Sequence, residues 1–195
     1  GIVGATNGES ITVNTSGTYT LVVTDCNGCS ASDQVNITFN DPVNADAGAD
    51  QNVCVGQPAT LTATSVTGAT YEWRENGSST VLSTSQSFTV TPTSTKSYIL
   101  TVKKNGCEDS DDVTVTVYPS PTATITGPSN VCQGGSLTLT AGGGGTYAWS
   151  NGSTQSSITV TVTANTSYTV TVTDTNGCTD TESKAVTIIP TPTVN

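Results

Sequence analysis

Residues 146–178 constrain the fold more than any other stretch. Residues 158–163 and 168–173 alternate between an apolar residue and a threonine. Successive side chains of a strand point to opposite faces, so this pattern places the apolar residues on one face and the threonines on the other. An Asn-Gly pair, which favours a tight turn, lies on each side of the two runs. The stretch therefore predicts antiparallel strands with one buried and one solvated face.

The same unit recurs along the 195 residues. A Val-Cys pair, a Tyr-x-Trp triplet and an Asn-Gly-Cys turn appear in this order in two units, and the first unit shows only the later half. The predicted domains are residues 1–41 (the C-terminal part of a truncated domain), 42–119 and 120–190, with 191–195 as the start of the next linker. Short proline-containing joints favour an extended rod. Residues 1–41 supply too few strands for a sandwich, so we expect the missing half from upstream sequence or another chain.

Each complete unit predicts six strands, which is typical of an antiparallel β-sandwich. The second unit predicts strands near 47–54, 59–65, 70–75, 86–91, 96–104 and 108–118. The third predicts strands near 122–132, 136–141, 146–151, 155–163, 166–174 and 179–189.

Charge and composition exclude several functions. The net charge is −10 with five cationic side chains, and such a surface repels nucleic acid and anionic lipid. Histidine is absent, which removes the commonest general base and metal ligand. No apolar run is long enough to cross a membrane. We therefore expect neither an enzyme nor a nucleic-acid or membrane-inserted protein.

Aromatic residues recur at positions typical of a sandwich core. Trp73 and Trp149 lie mid-unit on alternating strands, where a tryptophan commonly fills the space between sheets. Tyr19, Tyr98 and Tyr168 begin the penultimate strand of their units, as a tyrosine-corner residue does. Sugar binding by the tryptophans is the alternative.

Four cysteines occupy matching places in two units. Cys54 and Cys132 precede the second strand, and Cys107 and Cys178 open the last. This placement predicts the disulfides Cys54–Cys107 and Cys132–Cys178, within one unit each. They would indicate an oxidising compartment.

Cys26 and Cys29 form a Cys-x-x-Cys motif in a predicted hairpin turn. Cys29 matches Cys107 and Cys178, whereas Cys26 has no counterpart. A local Cys26–Cys29 bridge or pairing to residues outside the sequence is the main interpretation; free thiols, redox chemistry and zinc binding are alternatives.

Acidic residues cluster at the first joint. Asp41, Asp46 and Asp50 are candidate calcium ligands, because calcium prefers oxygen ligands. The sequence lacks an ordered ligand loop, so solvated turns are the other interpretation. We expect no other cofactor.

The repeated motifs resemble a known class. The segments AGADQNVCVGQPATLTA, GPSNVCQGGSLTLTA, TYAWSNGST and SYTVTVTDTNGC are similar to the Ig-like and PKD-like repeats of SprB-like giant surface adhesins, which gliding bacteria export by type IX secretion. The resemblance implies tandem Ig-like domains, export to the cell surface or an extracellular filament, and no catalytic residues.

The sequence therefore favours a structural or adhesive segment of a large secreted protein. A non-catalytic spacer or carbohydrate-binding region of a secreted hydrolase is the alternative. The expected partners are neighbouring repeats or copies of the chain in a fibre, and surface polysaccharide.

Overall fold

The chain is all-β, as predicted. The computed structural model describes residues 2–3, 10–190 and 192, with no side-chain detail before residue 10. These residues form eighteen strands and no helix. The predicted linker start at 191–195 lies outside the described residues except for Pro192.

The first unit contains two strand pairs. Its strands are β1 (Ile2–Val3), β2 (Thr12–Val13), β3 (Gly17–Thr24) and β4 (Ser30–Ile37). β1 pairs with β2, and β3 pairs with β4 in an antiparallel hairpin. Leu21, Val23 and Val35 of the hairpin are exposed. Within the described residues, no second sheet covers this hairpin.

The second unit is a two-layer sandwich. One sheet has the order β5-β11-β10-β7-β8, and β6 pairs with β9 in the other. All pairs are antiparallel except β5 with β11. The strands are β5 (Gln51–Cys54), β6 (Ala59–Thr62), β7 (Thr70–Glu75), β8 (Val81–Ser83), β9 (Ser87–Val90), β10 (Lys96–Lys104) and β11 (Cys107–Tyr118).

The third unit repeats this plan. Its sheets have the orders β12-β14-β16 and β13-β18-β17-β15, and β13 runs parallel to β18. The strands are β12 (Thr124–Thr126), β13 (Asn130–Cys132), β14 (Ser136–Gly142), β15 (Thr146–Trp149), β16 (Ser157–Thr161), β17 (Thr166–Thr173) and β18 (Thr179–Ile189).

The strand predicted over 122–132 is two strands in different sheets. Gly127 separates them with φ +129°, and a Cβ there would lie 2.5 Å from the Thr138 carbonyl oxygen. Only glycine fits this close approach. The chain therefore crosses from one sheet to the other at Gly127. β12, before this residue, pairs with β14, and β13, after it, pairs with β18.

Each sandwich encloses its own core. The second unit buries Leu61, Trp73, Leu100 and Val113, all with no exposed surface, together with other residues between Ala45 and Val115. The core of the third unit lies between Ala123 and Val186. The two cores share no residue. The boundaries at 41, 119 and 190 stay predictions.

Hydroxyl pairs line the solvated faces. Thr138 and Thr159 oppose each other on β14 and β16 with their hydroxyl oxygens 3.0 Å apart. Thr60 and Thr89 make the same contact in the second unit at 3.1 Å. The alternating threonines therefore form cross-strand hydrogen bonds on the faces that do not enter the core.

Candidate functional site

A disulfide joins the second unit to the third. Cys54 ends β5, and Cys178 immediately precedes β18. Their Cα atoms are 5.5 Å apart, although the two residues are 124 positions apart in sequence. We call Cys54, the linker 119–122 and Cys178 the joint.

The parallel pairing of β5 with β11 brings Cys54 to the joint. Cys54 lies opposite Tyr118, the last residue before the linker. The next backbone N–H, of Val55, donates to the Tyr118 carbonyl at 2.8 Å. Cys54 is thus held where the chain leaves the second unit.

An Asp-led turn presents Cys178 on the other side of the joint. The Asp174 Oδ1 atom accepts hydrogen bonds from the backbone N–H groups of Asn176 at 2.9 Å and Cys178 at 2.8 Å. The Asp180 carboxylate accepts the Ala123 N–H at 2.8 Å, which ties the start of the third unit beside this turn. Cys178 is fully buried.

The predicted disulfides Cys54–Cys107 and Cys132–Cys178 are corrected by this geometry. Cys54 lies beside Tyr118, but Cys107 begins the same strand β11 eleven residues earlier. At about 3.3 Å per residue the two cysteines lie roughly 36 Å apart, far beyond disulfide reach. Cys132 lies opposite Ile189, eleven residues from Cys178, so the same reasoning applies to the second pair.

The other four cysteines carry free thiols. Cys26, Cys29 and Cys132 are exposed and Cys107 is half-buried. The local Cys26–Cys29 bridge that the sequence suggested is therefore not formed.

The disulfide closes one long covalent loop over both complete units. In the chain-entropy model, cross-linking a loop of about this size stabilises the folded state by roughly 5 kcal/mol, whereas a fifty-residue loop gives about 4 kcal/mol. The bond across the joint also changes how the chain responds to force. Residues 55–177 lie inside the loop that Cys54 and Cys178 close. Tension applied at the chain ends passes from Cys54 to Cys178 and bypasses them.

A second feature of the site is a seam within the second unit, between residues 45–54 and 109–118. The Asp109 and Asp111 carboxylates accept the backbone N–H groups of Ala45 and Ala47, each at 2.8 Å. The Asp50 carboxylate accepts the Thr114 N–H at 2.8 Å, and the β5–β11 ladder continues to Tyr118. The seam thus joins the first segment of the unit to its last strand along its whole length.

The calcium candidates have other roles. Asp50 belongs to the seam, and Asp46 accepts hydrogen bonds from the Thr64 hydroxyl at 2.7 Å and the Gly48 N–H at 3.0 Å. The Thr64 hydrogen bond, followed by that of Gly48, lowers the pKa of Asp46. Asp41 is exposed. Across residues 10–190, no three acidic or cysteine side chains group as metal ligands do.

The predicted core aromatics differ in burial. Trp73 and Trp149 are buried, and their indole N–H groups donate to the carbonyls of Ser85 at 3.1 Å and Gln155 at 2.9 Å. Neither ring face is open to a sugar, so that alternative for the tryptophans is wrong. Tyr98 and Tyr168 are buried, and burial raises the pKa of Tyr98. Tyr19 is half-buried, and its hydroxyl donates to the Thr15 carbonyl at 2.7 Å.

Three of the four cations of the second unit pair with its own acids. Glu72 contacts Arg74 at 2.9 Å and Lys103 at 3.3 Å, and Glu75 pairs with Lys96. The hydrogen bond that the Lys96 ammonium donates to the Glu75 carboxylate raises the pKa of Lys96. These pairs are partly exposed, so each contributes little to stability.

Within the part of the chain that the structure describes, no helix is long and apolar enough to span a membrane.

Comparisons with known proteins identify one Ig-like match. Residues 41–121 match the family model of the Ig-like domain described as CHU_C associated. No curated protein matches the chain. The matched residues include the seam and Cys54.

Solved structures similar to the chain include tandem Ig domains. The four N-terminal Ig domains of Dscam1 isoform 6.9 are 13% identical with a TM-score of 0.32, covering 84% of this chain and 52% of that one. Extracellular domains 3–5 of Drosophila OTK are 12% identical (TM-score 0.41; 89% and 71% covered). The titin fragment I67–I69 is 12% identical (TM-score 0.43; 78% and 67% covered). The chain thus spans about half of the Dscam1 fragment.

The strand order of the complete units is itself that of Ig-like repeats. In each, the tryptophan strand pairs with the tyrosine strand, which pairs with the last strand of the unit. The tyrosine lies two residues before a buried core residue, Leu100 or Val170. This position carries a cysteine in antibody domains. Here Leu or Val occupies it, and the disulfide lies between units instead.

Proposed function

We propose that this chain is a segment of an extracellular array of Ig-like repeats with a structural and adhesive role, which bears tension and holds an attached region at a distance. The observation that supports this best is the Cys54–Cys178 disulfide across the joint. A bond between units adds a second covalent connection beside the linker. It therefore limits both bending at the joint and extension under load.

The seam supports the same role. Residues 45–54 run parallel to 109–118, so once the disulfide is reduced, tension reaches both segments and pulls them in opposite directions along their length. All hydrogen bonds of the seam are then loaded together rather than one after another. Such a shear arrangement resists force better than a hairpin opened from one end.

The expected compartment is extracellular, because disulfides persist in oxidising environments. In the finer proposal, the array belongs to SprB-like adhesins exported by type IX secretion and contacts neighbouring repeats, further copies and surface polysaccharide. The support for this is the motif resemblance. The alternative is a spacer in a secreted hydrolase, which would also need joints that resist bending and extension. A catalytic domain in the same polypeptide would favour this alternative.

Single-molecule stretching of the full chain by its termini tests the proposal. With the disulfide intact we expect residues 55–177 to contribute no extension, and reductant to release roughly 400 Å, at about 3.3–3.6 Å per residue. Cys54→Ser should show the long extension without reductant, because it lacks the bond.

Cys107→Ser is the matched control, since it removes a free thiol of the same unit and should behave like the wild type. Equal extension of the wild-type chain with and without reductant would contradict the proposal.

A further inference from the structure

Cys132 has the local geometry of the bonded Cys54. Both cysteines end a strand parallel to the last strand of their unit, opposite Tyr118 or Ile189. Both are followed by a glycine with φ near +80° and by an N–H that donates back to the cysteine carbonyl, at 2.9 Å for Gln57 and 2.8 Å for Gly135. A proline follows Ile189 as it follows Tyr118. Cys132, however, is an exposed free thiol.

Cys29 has the local geometry of the bonded Cys178. Asp25 Oδ1 accepts the backbone N–H groups of Asn27 at 2.8 Å and Cys29 at 2.9 Å, as Asp174 does for Asn176 and Cys178. The Asp25 N–H donates to the Cys29 carbonyl at 3.0 Å, and the equivalent bond in the third unit is 2.9 Å long. Cys29 is also an exposed free thiol.

The remaining cysteines do not match in this way. Cys107 is half-buried and closes a two-residue turn in which Asn105 has φ 50°, without an Asp-led turn. Cys26 aligns with Thr175, which takes no part in the bonded joint. Cys54 and Cys178 are thus bonded to each other. Cys132, which matches Cys54, and Cys29, which matches Cys178, are both free thiols.

We propose that Cys132 of one chain forms a disulfide with Cys29 of a second copy, so that copies bond head to tail through a joint of the Cys54–Cys178 kind. The inference rests on the proposed function, because it extends the array from units within a chain to successive chains. Cys29 lies on the first unit and Cys132 on the third. Each copy that is added therefore leaves one free Cys29 at one end of the assembly and one free Cys132 at the other. Such a contact propagates into a linear polymer rather than stopping at a dimer.

The bond needs a two-electron oxidant, and a small-molecule disulfide is sufficient. The Cys132 thiolate attacks the oxidant and displaces one of its thiolates, leaving a mixed disulfide on Cys132. The Cys29 thiolate of the second copy then attacks the Cys132 sulfur and displaces the other. Two protein thiols become one disulfide while the oxidant is reduced to two thiols.

Incubation of the purified full chain with oxidised glutathione tests this. We expect a reductant-sensitive ladder on a non-reducing gel, and peptide mapping of the ladder should link Cys29 to Cys132. Mixing unlabelled chain with isotopically labelled chain before oxidation should give linked peptides of mixed label, which shows that the bond joins two copies.

Cys132→Ser and Cys29→Ser should each abolish the ladder, whereas Cys26→Ser should retain it as the matched exposed-thiol control. A Cys132–Cys132 or Cys26-linked dimer, a ladder through Cys107, or a monomer with a Cys26–Cys29 bridge would overturn the proposal. None of these outcomes alters the reductant-dependent extension of a single chain, so the two proposals can fail separately.

Discussion

Three aspartates hold different parts of this fold in place. Asp174 shapes the turn that presents Cys178, Asp180 holds the start of the third unit, and Asp109 belongs to the seam. In each case a carboxylate accepts a backbone N–H group that the sheet ladders leave unpaired. A charged acceptor makes a stronger hydrogen bond than a neutral one. Acidity therefore contributes to local structure as well as to solubility.

Asp46 gives a pH-dependent test of this role. Its pKa in the folded chain lies below 3.8, so its stabilising contribution is complete above pH 3.8 and is lost as the pH falls through the folded pKa. Asp46→Asn should therefore be less stable than the wild type at pH 6, and the difference should shrink towards pH 2. Denaturant unfolding at a series of pH values measures it.

Asp41→Asn is the control, because this exposed carboxylate precedes the same segment and makes no hydrogen bond among the described residues. A constant difference between Asp46→Asn and the wild type from pH 6 to pH 2 would contradict the assigned role.

The sequence predicted the burial of a single residue correctly where its size and strand pattern determine that burial. The tryptophans lie in the cores because alternation and size leave few other places for them. Tyr19 is different: the hairpin that carries it has no opposing sheet within the described residues. Its pattern is the same as that of Tyr98, so local sequence could not distinguish the two.

At the scale of strands, periodicity was informative and pairing was not. The strands predicted over 70–75 and 96–104 have these bounds in the structure. β8 was missed because it is three residues long and lies in a Ser-rich stretch between β7 and β9. The parallel pairing of β5 with β11 and of β13 with β18 was also missed, because alternation defines the faces of a strand but not its neighbour.

The seam predicts a contrast between two aspartates of β11. Asp109→Ala should destabilise the second unit by about 1–2 kcal/mol, because it leaves the N–H of the buried residue Ala45 without its charged acceptor. Asp112→Ala should cost less than about 0.5 kcal/mol, since this exposed side chain accepts a hydrogen bond from the Ser97 hydroxyl, at 3.3 Å, and from no buried group of the described residues. Denaturant unfolding of both variants measures the difference.

Both substitutions remove one negative charge from the same strand, so the long-range electrostatic effect is matched. Equal destabilisation by the two variants would be inconsistent with a specific role for the seam.

At the scale of the whole molecule, the joint changes what the repeats do. The sequence predicted disulfides within units because the cysteines occupy matching places in successive repeats. The parallel pairing places Cys54 beside the end of the twelve-residue strand β11 that Cys107 begins, and the turn of the next unit supplies the partner Cys178. A repeat pattern identifies equivalent residues, but only the geometry between units identifies bonded ones.

The central claim is that the disulfide crosses the joint, and non-reducing peptide mapping of the alkylated full chain tests it most directly. For the chain before any oxidant is added, we predict one linked peptide pair containing Cys54 and Cys178, with Cys107 and Cys132 recovered as alkylated thiols. Recovery of Cys54 linked to Cys107, and of Cys132 linked to Cys178, would contradict the account.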